Sequence, residues 1–508
     1  MRHLILSSTA LFAVLAPTAL AQAPQQDAAP ADASSRRDVV VITGSFIAGT
    51  AEDAALPVDV FTTEDLQNQG SPTLVQLVKT LPAFSGGALG EANRFVAVAA
   101  GTATLNLRGL GAARTLVLLN GQRVAGAAFQ GVGESADINH IPLAAIGRIE
   151  VLKDGAAATY GSDAIGGVVN FITRNDFDGI EFDAEYALID GSDGDYYING
   201  AYGGKFDKGD YLLTAGYRVR SKLDVKERDW SLRTRAANPN GGWTTASNPG
   251  TYTALTSRTD ADGDGGFEAF AAAPAGNSFV DRGCVESGSV LASATSCSFQ
   301  FTAFDNIVNP EEHYQAYGEF NYDFSDALTL HAEALWSKRE VIEDASVYQS
   351  TTQFPAPIEA SGGSAGGGVS PIPASGLNEQ SLFYIPGNHP GLQAVMSPCP
   401  YSAAICANSI ANGVVTSQTL WRPGGVGGNP RNLPDGSTLH YFNSEAVRVS
   451  GGLQGELSVF NGVNWDFNLT YSKNSGETIR TDRSVNRLQL ALRGFGSNEG
   501  ASDQCTTA

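Results

Sequence analysis

Positive charge is scarce: 32 lysines and arginines stand against 53 aspartates and glutamates in 508 residues, a net charge of -21. A protein that reads phosphates needs a basic face, so this balance argues against a nucleic-acid partner, although acidity alone names no ligand. Long apolar runs are missing beyond the extreme N-terminus, so any membrane crossing by the rest of the chain must use β-strands. The six histidines are scattered without the paired spacing that zinc needs. Only 17% of residues are charged, whereas glycine (58), phenylalanine (24) and tyrosine (16) are plentiful. That composition favours many strands and turns over a helical enzyme.

The one apolar run, Leu4 to Leu15, follows Met1-Arg2-His3 and leads to Ala19-Leu20-Ala21. A charged start, a short apolar middle and a small-residue cleavage site describe a secretory signal peptide cut before Gln22. Pro17 and the shortness of the run argue against a membrane anchor. Gln22 to Ser35 is Ala/Pro/Gln/Asp/Ser-rich and cannot bury enough apolar surface to fold. Asp38-Val39-Val40-Val41-Ile42-Thr43-Gly44 is then an isolated β-prone heptad on a flexible tether.

Ser71-Pro72 supplies a capping hydroxyl and a proline at a first helical position, and Leu74, Leu77, Val78 and Leu81 follow at helical spacing before Pro82. The stretch from Leu105 to Ile172 is the densest in signals. Leu116 to Leu119 run into Asn120-Gly121, a tight-hairpin dipeptide. Ile141-Pro142-Leu143 opens a helical turn, Arg148 to Leu152 alternates, and Val168 to Ile172 is a β-branched run closed by Thr173-Arg174. These elements predict a compact α+β domain.

Four spaced pieces in this stretch, Leu107-Arg108-Gly109, Val117 to Gly121, Ile149 to Gly155 and Tyr160 to Asn170, resemble the plug domain of TonB-dependent outer-membrane receptors. The resemblance implies a plug closing a large β-barrel. It also implies that Asp38, Val39, Val40, Val41, Ile42 and Thr43 are the TonB box, a strand captured by an inner-membrane TonB-type energy transducer; the plain alternative is a first strand of the plug. By motif position, Arg108 and Lys153 match two basic plug positions that in relatives face carboxylates of the barrel wall, the alternative being solvated surface cations.

From Gly179 the texture changes to two-residue alternation. Ile180, Phe182, Ala184, Tyr186 and Leu188 interleave with acidic residues, and Val463, Trp465, Phe467, Leu469 and Tyr471 with polar ones. Similar alternation at Tyr196 to Tyr202, Tyr211 to Val219, Tyr314 to Phe324, Leu328 to Trp336 and Val447 to Leu457 brings the strands to about seven. Tight turns at Asp207 to Asp210, Ser325-Asp326 and Asn461-Gly462 alternate with long connections from about Ser221 to Glu312, Ile342 to Ser444 and Glu477 onward. Short periplasmic turns and long extracellular loops are the habit of outer-membrane barrels. Cys284 and Cys297 share one long loop and Cys399 and Cys406 the next, so each pair suits a local disulfide in an oxidising compartment, with Cys505 left over. Seven strands fall short of the roughly 22 of such a barrel, so the chain is expected to be the N-terminal portion of a longer protein.

Competing motifs fail on context. Gly362-Gly363-Ser364-Ala365-Gly366 fits a nucleophile elbow but lies in a Gly/Ser-rich loop. Gly109-Leu110-Gly111 begins a dinucleotide fingerprint that Arg114 breaks. Asp260, Asp262 and Asp264 suggest a calcium loop, yet Ala271 stands where the bidentate carboxylate belongs. No catalytic, cofactor or metal residue is therefore assigned. The expected division is signal peptide 1–21, leader 22–37, TonB box 38–44, α+β plug 45–176, and the first strands of an antiparallel transmembrane β-barrel in 177–508. The expected role is import of a scarce solute, siderophore, saccharide or similar, through the outer membrane of a Gram-negative bacterium, with a passive porin-like or adhesive barrel as the alternative. Loop aromatics Trp243, Tyr252, Phe354, Tyr384 and Trp421 are candidates for stacking on that solute.

Overall fold

The computed structural model describes residues 58–62, 73–84, 101–127, 135–153, 156–175, 177–239, 241–245, 250–259, 269–270, 277–286, 289–325, 327–345, 350–351, 384–416, 420–421, 437–457 and 463–480. An N-terminal domain is built on a mixed sheet of β1 (Val58–Thr62), β2 (Thr115–Leu119), β3 (Gln122–Arg123), β4 (Ile146–Leu152) and β5 (Gly167–Thr173), in the order β1-β4-β5-β2-β3. β2 and β5 run parallel and are buried along their whole length, which is why both read as continuous apolar runs. Between β2 and β3, Asn120 and Gly121 take φ of 50° and 75°, the positive values that a type I′ turn demands.

Helix α1 (Leu74–Thr80) starts two residues later than the Ser71-Pro72 signal suggests. Thr73 is the N-cap, its hydroxyl accepting the Gln76 N–H at 3.1 Å, and Ser71 and Pro72 lie outside the described residues. The reason is local: a threonine beyond the proline takes an extended backbone and offers the same oxygen. Leu74, Val75 and Val78 of α1 pack with Leu105, Val117, Ile149 and Phe171 in one core.

Seven further strands form one antiparallel sheet in strict chain order: β6 (Gly179–Ala187), β7 (Asp195–Phe206), β8 (Gly209–Arg220), β9 (Glu311–Ser325), β10 (Leu328–Ala345), β11 (Thr438–Leu457) and β12 (Val463–Arg480). Among the described residues no helix is long and apolar enough to cross a membrane. The strands grow from 9 residues in β6 to 20 in β11, whereas a tilted strand crosses a bilayer in about 9–11. The long loops are therefore shorter than alternation implied, because 342–345 and 438–444 continue the pairing.

Alternation divides this sheet into two faces. Outward, Ile180, Phe182, Leu188, Ile198, Leu213, Val449, Phe467 and Leu469 are exposed, Leu188 by 88%. An apolar band of this extent would promote aggregation in water and suits lipid. Two aromatic rows border it. Tyr217 lies 5.9 Å from Tyr196 and 4.8 Å from Tyr314 toward the long loops. Tyr202 with Tyr211 at 5.4 Å, and Phe206 with Phe320 at 5.8 Å, mark the short-turn end. Six residues separate the rows on β7, β8 and β9, about 20 Å of extended chain, close to the height of a barrel's apolar belt.

Inward, the sheet packs on the N-terminal domain: Leu212, Tyr317 and Leu335 belong to the same core as α1 and β2. The loops add a small domain of their own, which alternation did not reveal. Thr251–Ala254 pairs with both Ser278–Val280 and Val414–Thr416, and Tyr384–Ile385 extends the sheet. Helices α2 (Pro390–Met396) and α3 (Ala403–Asn412) pack on it. Disulfides join Cys284 to Cys297 and Cys399 to Cys406, while Cys505 lies outside the described residues.

Gly167 tests the N-terminal domain. Its φ is 134°, and an added Cβ would lie 2.4 Å from the Leu152 carbonyl oxygen and 2.8 Å from Leu107 Cδ1. Gly167→Ala is expected to weaken the β4–β5 pairing by at least about 1–3 kcal/mol, read as faster amide hydrogen exchange in both strands of the intact protein. Gly121→Ala, at φ 75° with open space around its Cβ, is expected to cost only about 1 kcal/mol.

Candidate functional site

The functional geometry is the seam where the N-terminal domain meets the inner face of the sheet. Asn120 holds its first half. Its side-chain oxygen accepts the Thr173 N–H at 3.1 Å and lies 3.1 Å from the Thr173 hydroxyl, and its amide donates to Glu333 Oε2 at 2.8 Å. Thr173 Oγ1 in turn donates to Glu319 Oε2 at 2.6 Å. Tyr317 lies between the two glutamates, its hydroxyl 2.8 Å from Glu319 and 3.0 Å from Glu333. Arg448, from the neighbouring strand β11, pairs with Glu333 and reaches the Leu119 carbonyl at 3.5 Å. Glu319, Glu333 and Arg448 are buried, so each charge depends on these partners.

Asp137 and Arg339 form the second half, 3.0 Å apart with side chains 2% and 1% exposed. Asp137 Oδ1 accepts N–H groups from Ala103 (3.1 Å), Asn139 (3.1 Å) and the Asn139 side chain (2.9 Å), which leaves Oδ2 for the arginine. Gln315 donates to the Asn139 carbonyl at 2.7 Å. His140 Nδ1 and His313 Nε2 each lie 2.9 Å from the Ser337 hydroxyl. Ser337 has one proton to give, so at least one imidazole must present its N–H to that oxygen. Burial lowers the His140 imidazole to about 4, with Asp137 opposing and Arg339 reinforcing the shift. At neutral pH it is uncharged, and its 3.8 Å approach to Asp137 is not an ion pair.

At the exit from the domain, Arg174 grips Glu181 of β6 through two bonds, 2.8 and 3.1 Å, a fork geometry that fixes direction as well as distance. The arrangement as a whole can hold an α+β domain inside a curved sheet through polar contacts that water is able to replace. Ser337 beside two imidazoles has the atom types of a nucleophile and its base, but its side chain is fully buried in the seam, where no substrate can reach it.

Residues 50–168 match the TonB-dependent Receptor Plug Domain. That segment of the chain is a plug domain of the TonB-dependent receptor kind. It is 35% identical over 201 residues to the vitamin B12 transporter BtuB of Photobacterium profundum, an overlap of 39% of this chain and 30% of the relative. The chain thus spans less than a third of the length of that relative. Among solved structures it is similar to the ferric enterobactin receptor PfeA of Pseudomonas aeruginosa, at 14% identity and a TM-score of 0.34 over 85% of this chain and 48% of that one. The ferric-catecholate import receptor Fiu of E. coli K12 gives 12% and 0.34 over 83% and 50%. These two likenesses are too slight to add to the plug assignment.

The residues named from sequence fall in different places. The TonB box, Asp38 to Thr43, the acidic run Asp260 to Asp264, Ser364 and Phe354 all lie outside the described residues. Arg108 is exposed on a turn of the plug, its Nη2 3.3 Å from the Gly166 carbonyl. Lys153 pairs with Asp59, because β4 runs beside β1 and the register brings the two together. Among the described residues neither cation meets a wall carboxylate. The wall is met instead by Asn120, Asp137, His140, Thr173 and Arg174 of the plug. Asn120 was legible only as a turn residue. Tyr252 and Tyr384 are buried in the loop domain rather than presented to a solute, and Trp243 donates to the Arg233 carbonyl at 3.3 Å.

Arg339→Met is expected to strand the Asp137 charge and cost about 3–5 kcal/mol, with Asp137→Leu similar and the double variant less than the sum. Hydrogen exchange of plug amides in the intact receptor reads this coupling; simple additivity would remove it. His140 generates a pH dependence. Its folded value lies below the unfolded value near 6.5, so its contribution is complete above about 6.5 and is lost as the pH falls toward 4. Plug exchange should accelerate across that window, and His140→Gln should flatten the response.

Proposed function

We propose that this receptor imports a scarce solute across the outer membrane, using force from an inner-membrane transducer of the TonB type that captures Asp38 to Thr43. The observation that carries the reading is the seam: a plug held against the inner face of a lipid-facing sheet by hydrogen bonds and paired charges, beside an apolar contact through Leu212, Tyr317 and Leu335. The polar contacts resist thermal loosening, yet water can take them over one by one when the plug is displaced. A plug fixed by a broad apolar interface would leave no comparable route.

In this reading residues 1–21 are the cleaved signal peptide, 22–37 the tether, 38–44 the TonB box, 45–176 the plug and 177–508 barrel strands with extracellular loops. The outward apolar band and its two aromatic rows support residence in an outer membrane. The solute binds above the plug, between its apical loops and the extracellular domain, and no bond in it is changed. The related BtuB is named for vitamin B12, which makes a bulky cofactor of that kind the first class to try.

The test is uptake and growth on single scarce nutrients with the full-length gene, with and without Asp38 to Thr43. Deletion is expected to abolish uptake of one nutrient while leaving its surface binding intact. Uptake that survives for every nutrient would favour the passive barrel instead.

A further inference from the structure

The loop domain carries a half-open pocket of about 170 Å³ that the seam and the plug do not share. Tyr252, Phe279, Leu392 and Val395 line it, with one carboxylate, Asp281, and one imidazole, His389. A dry cavity of about 150 Å³ holds benzene, so this one is sized for a single ring with a short substituent. The Tyr252 and Phe279 centroids are 5.9 Å apart, and Tyr401 supports Phe279 from 4.6 Å. Their π faces suit an aromatic or a cation.

Asp281 gives the cavity its polarity. Its Oδ1 accepts the Gly283 N–H at 2.8 Å, and no described lysine, arginine or histidine pairs with it. His389 Nδ1 accepts the Gly391 N–H at 3.2 Å, a role that only the neutral imidazole can fill. Burial raises the Asp281 carboxyl above the usual range, the Gly283 N–H opposes this, and Glu286 adds to the rise. The positive charge near the site is Arg282, the exposed chain neighbour of Asp281, whose field reaches Tyr401 but which makes no ion pair with Asp281. An apolar wall of one-ring size with a half-buried carboxylate at its edge, unpaired by any cation among the described residues, selects for a compact organic cation.

We propose that this cavity binds a ring-sized organic ammonium compound, its ring against Phe279 and Leu392 and its cation at Asp281. Calorimetric titration of benzylammonium into the full-length receptor in detergent at neutral pH tests it, with benzyl alcohol and benzoate as neutral and anionic matches in size. Benzylammonium is expected to bind at least about tenfold more tightly than either. Asp281→Asn keeps the shape and should bring benzylammonium to the level of benzyl alcohol. Leu392→Phe should fill the cavity and abolish binding, with retention of both disulfides as the folding control. Absence of benzylammonium binding at millimolar concentration, equal affinity for the three compounds, or undiminished affinity in Asp281→Asn overturns the proposal.

Discussion

Glu319 and Glu333 point inward from a sheet whose other face is apolar, and the structure depends on what meets them. A carboxylate in that position costs several kcal/mol unless it is paired. Arg448 and Tyr317 supply part of the answer from the wall itself, and Asn120 and Thr173 supply the rest from the plug. The wall is therefore incomplete without the plug in an electrostatic sense as well as a steric one. Asp137 and Arg339 add an ion pair that crosses the seam, the plug carrying the acid and the wall the base.

A seam of this kind is strong in place and separable under load. Each hydrogen bond to a charged group contributes about 1.5–3 kcal/mol, yet every donor and acceptor finds a substitute in water once the gap opens. The plug's own interior behaves differently. α1, β2, β4 and β5 share a continuous apolar core that loses its stabilisation when wetted. Leu212, Tyr317 and Leu335 of the wall join that core, so the seam combines polar contacts with an apolar one.

The loops show how far a barrel can depart from a bare channel. β9, β10 and β11 rise beyond what a bilayer requires, and on them two distant loops fold together through the pairing of Thr251–Ala254 with Val414–Thr416. Each disulfide lies within one loop, so the joining of the two loops rests on sheet pairing and apolar packing. A second packed unit follows, with its own core and pocket.

The sequence by itself determined the elements whose signal is local. The Asn120-Gly121 turn, the runs of β2 and β5 and the seven alternating strands with their chain order were all legible, because turn chemistry and a period of two are written in neighbouring residues. Where the deciding contact was distant, the reading failed or fell short. Thr73 displaced Ser71 as the cap through one hydrogen bond. Lys153 found Asp59 across the sheet, the wall strands ran on into the loops, and Tyr252 and Tyr384 turned out to be core. Asp137, Arg339, Glu319 and Glu333 looked like ordinary charges in the chain. Only the packing of the sheet against the plug buried them, and burial is what turned four commonplace residues into the contacts on which the assembly rests.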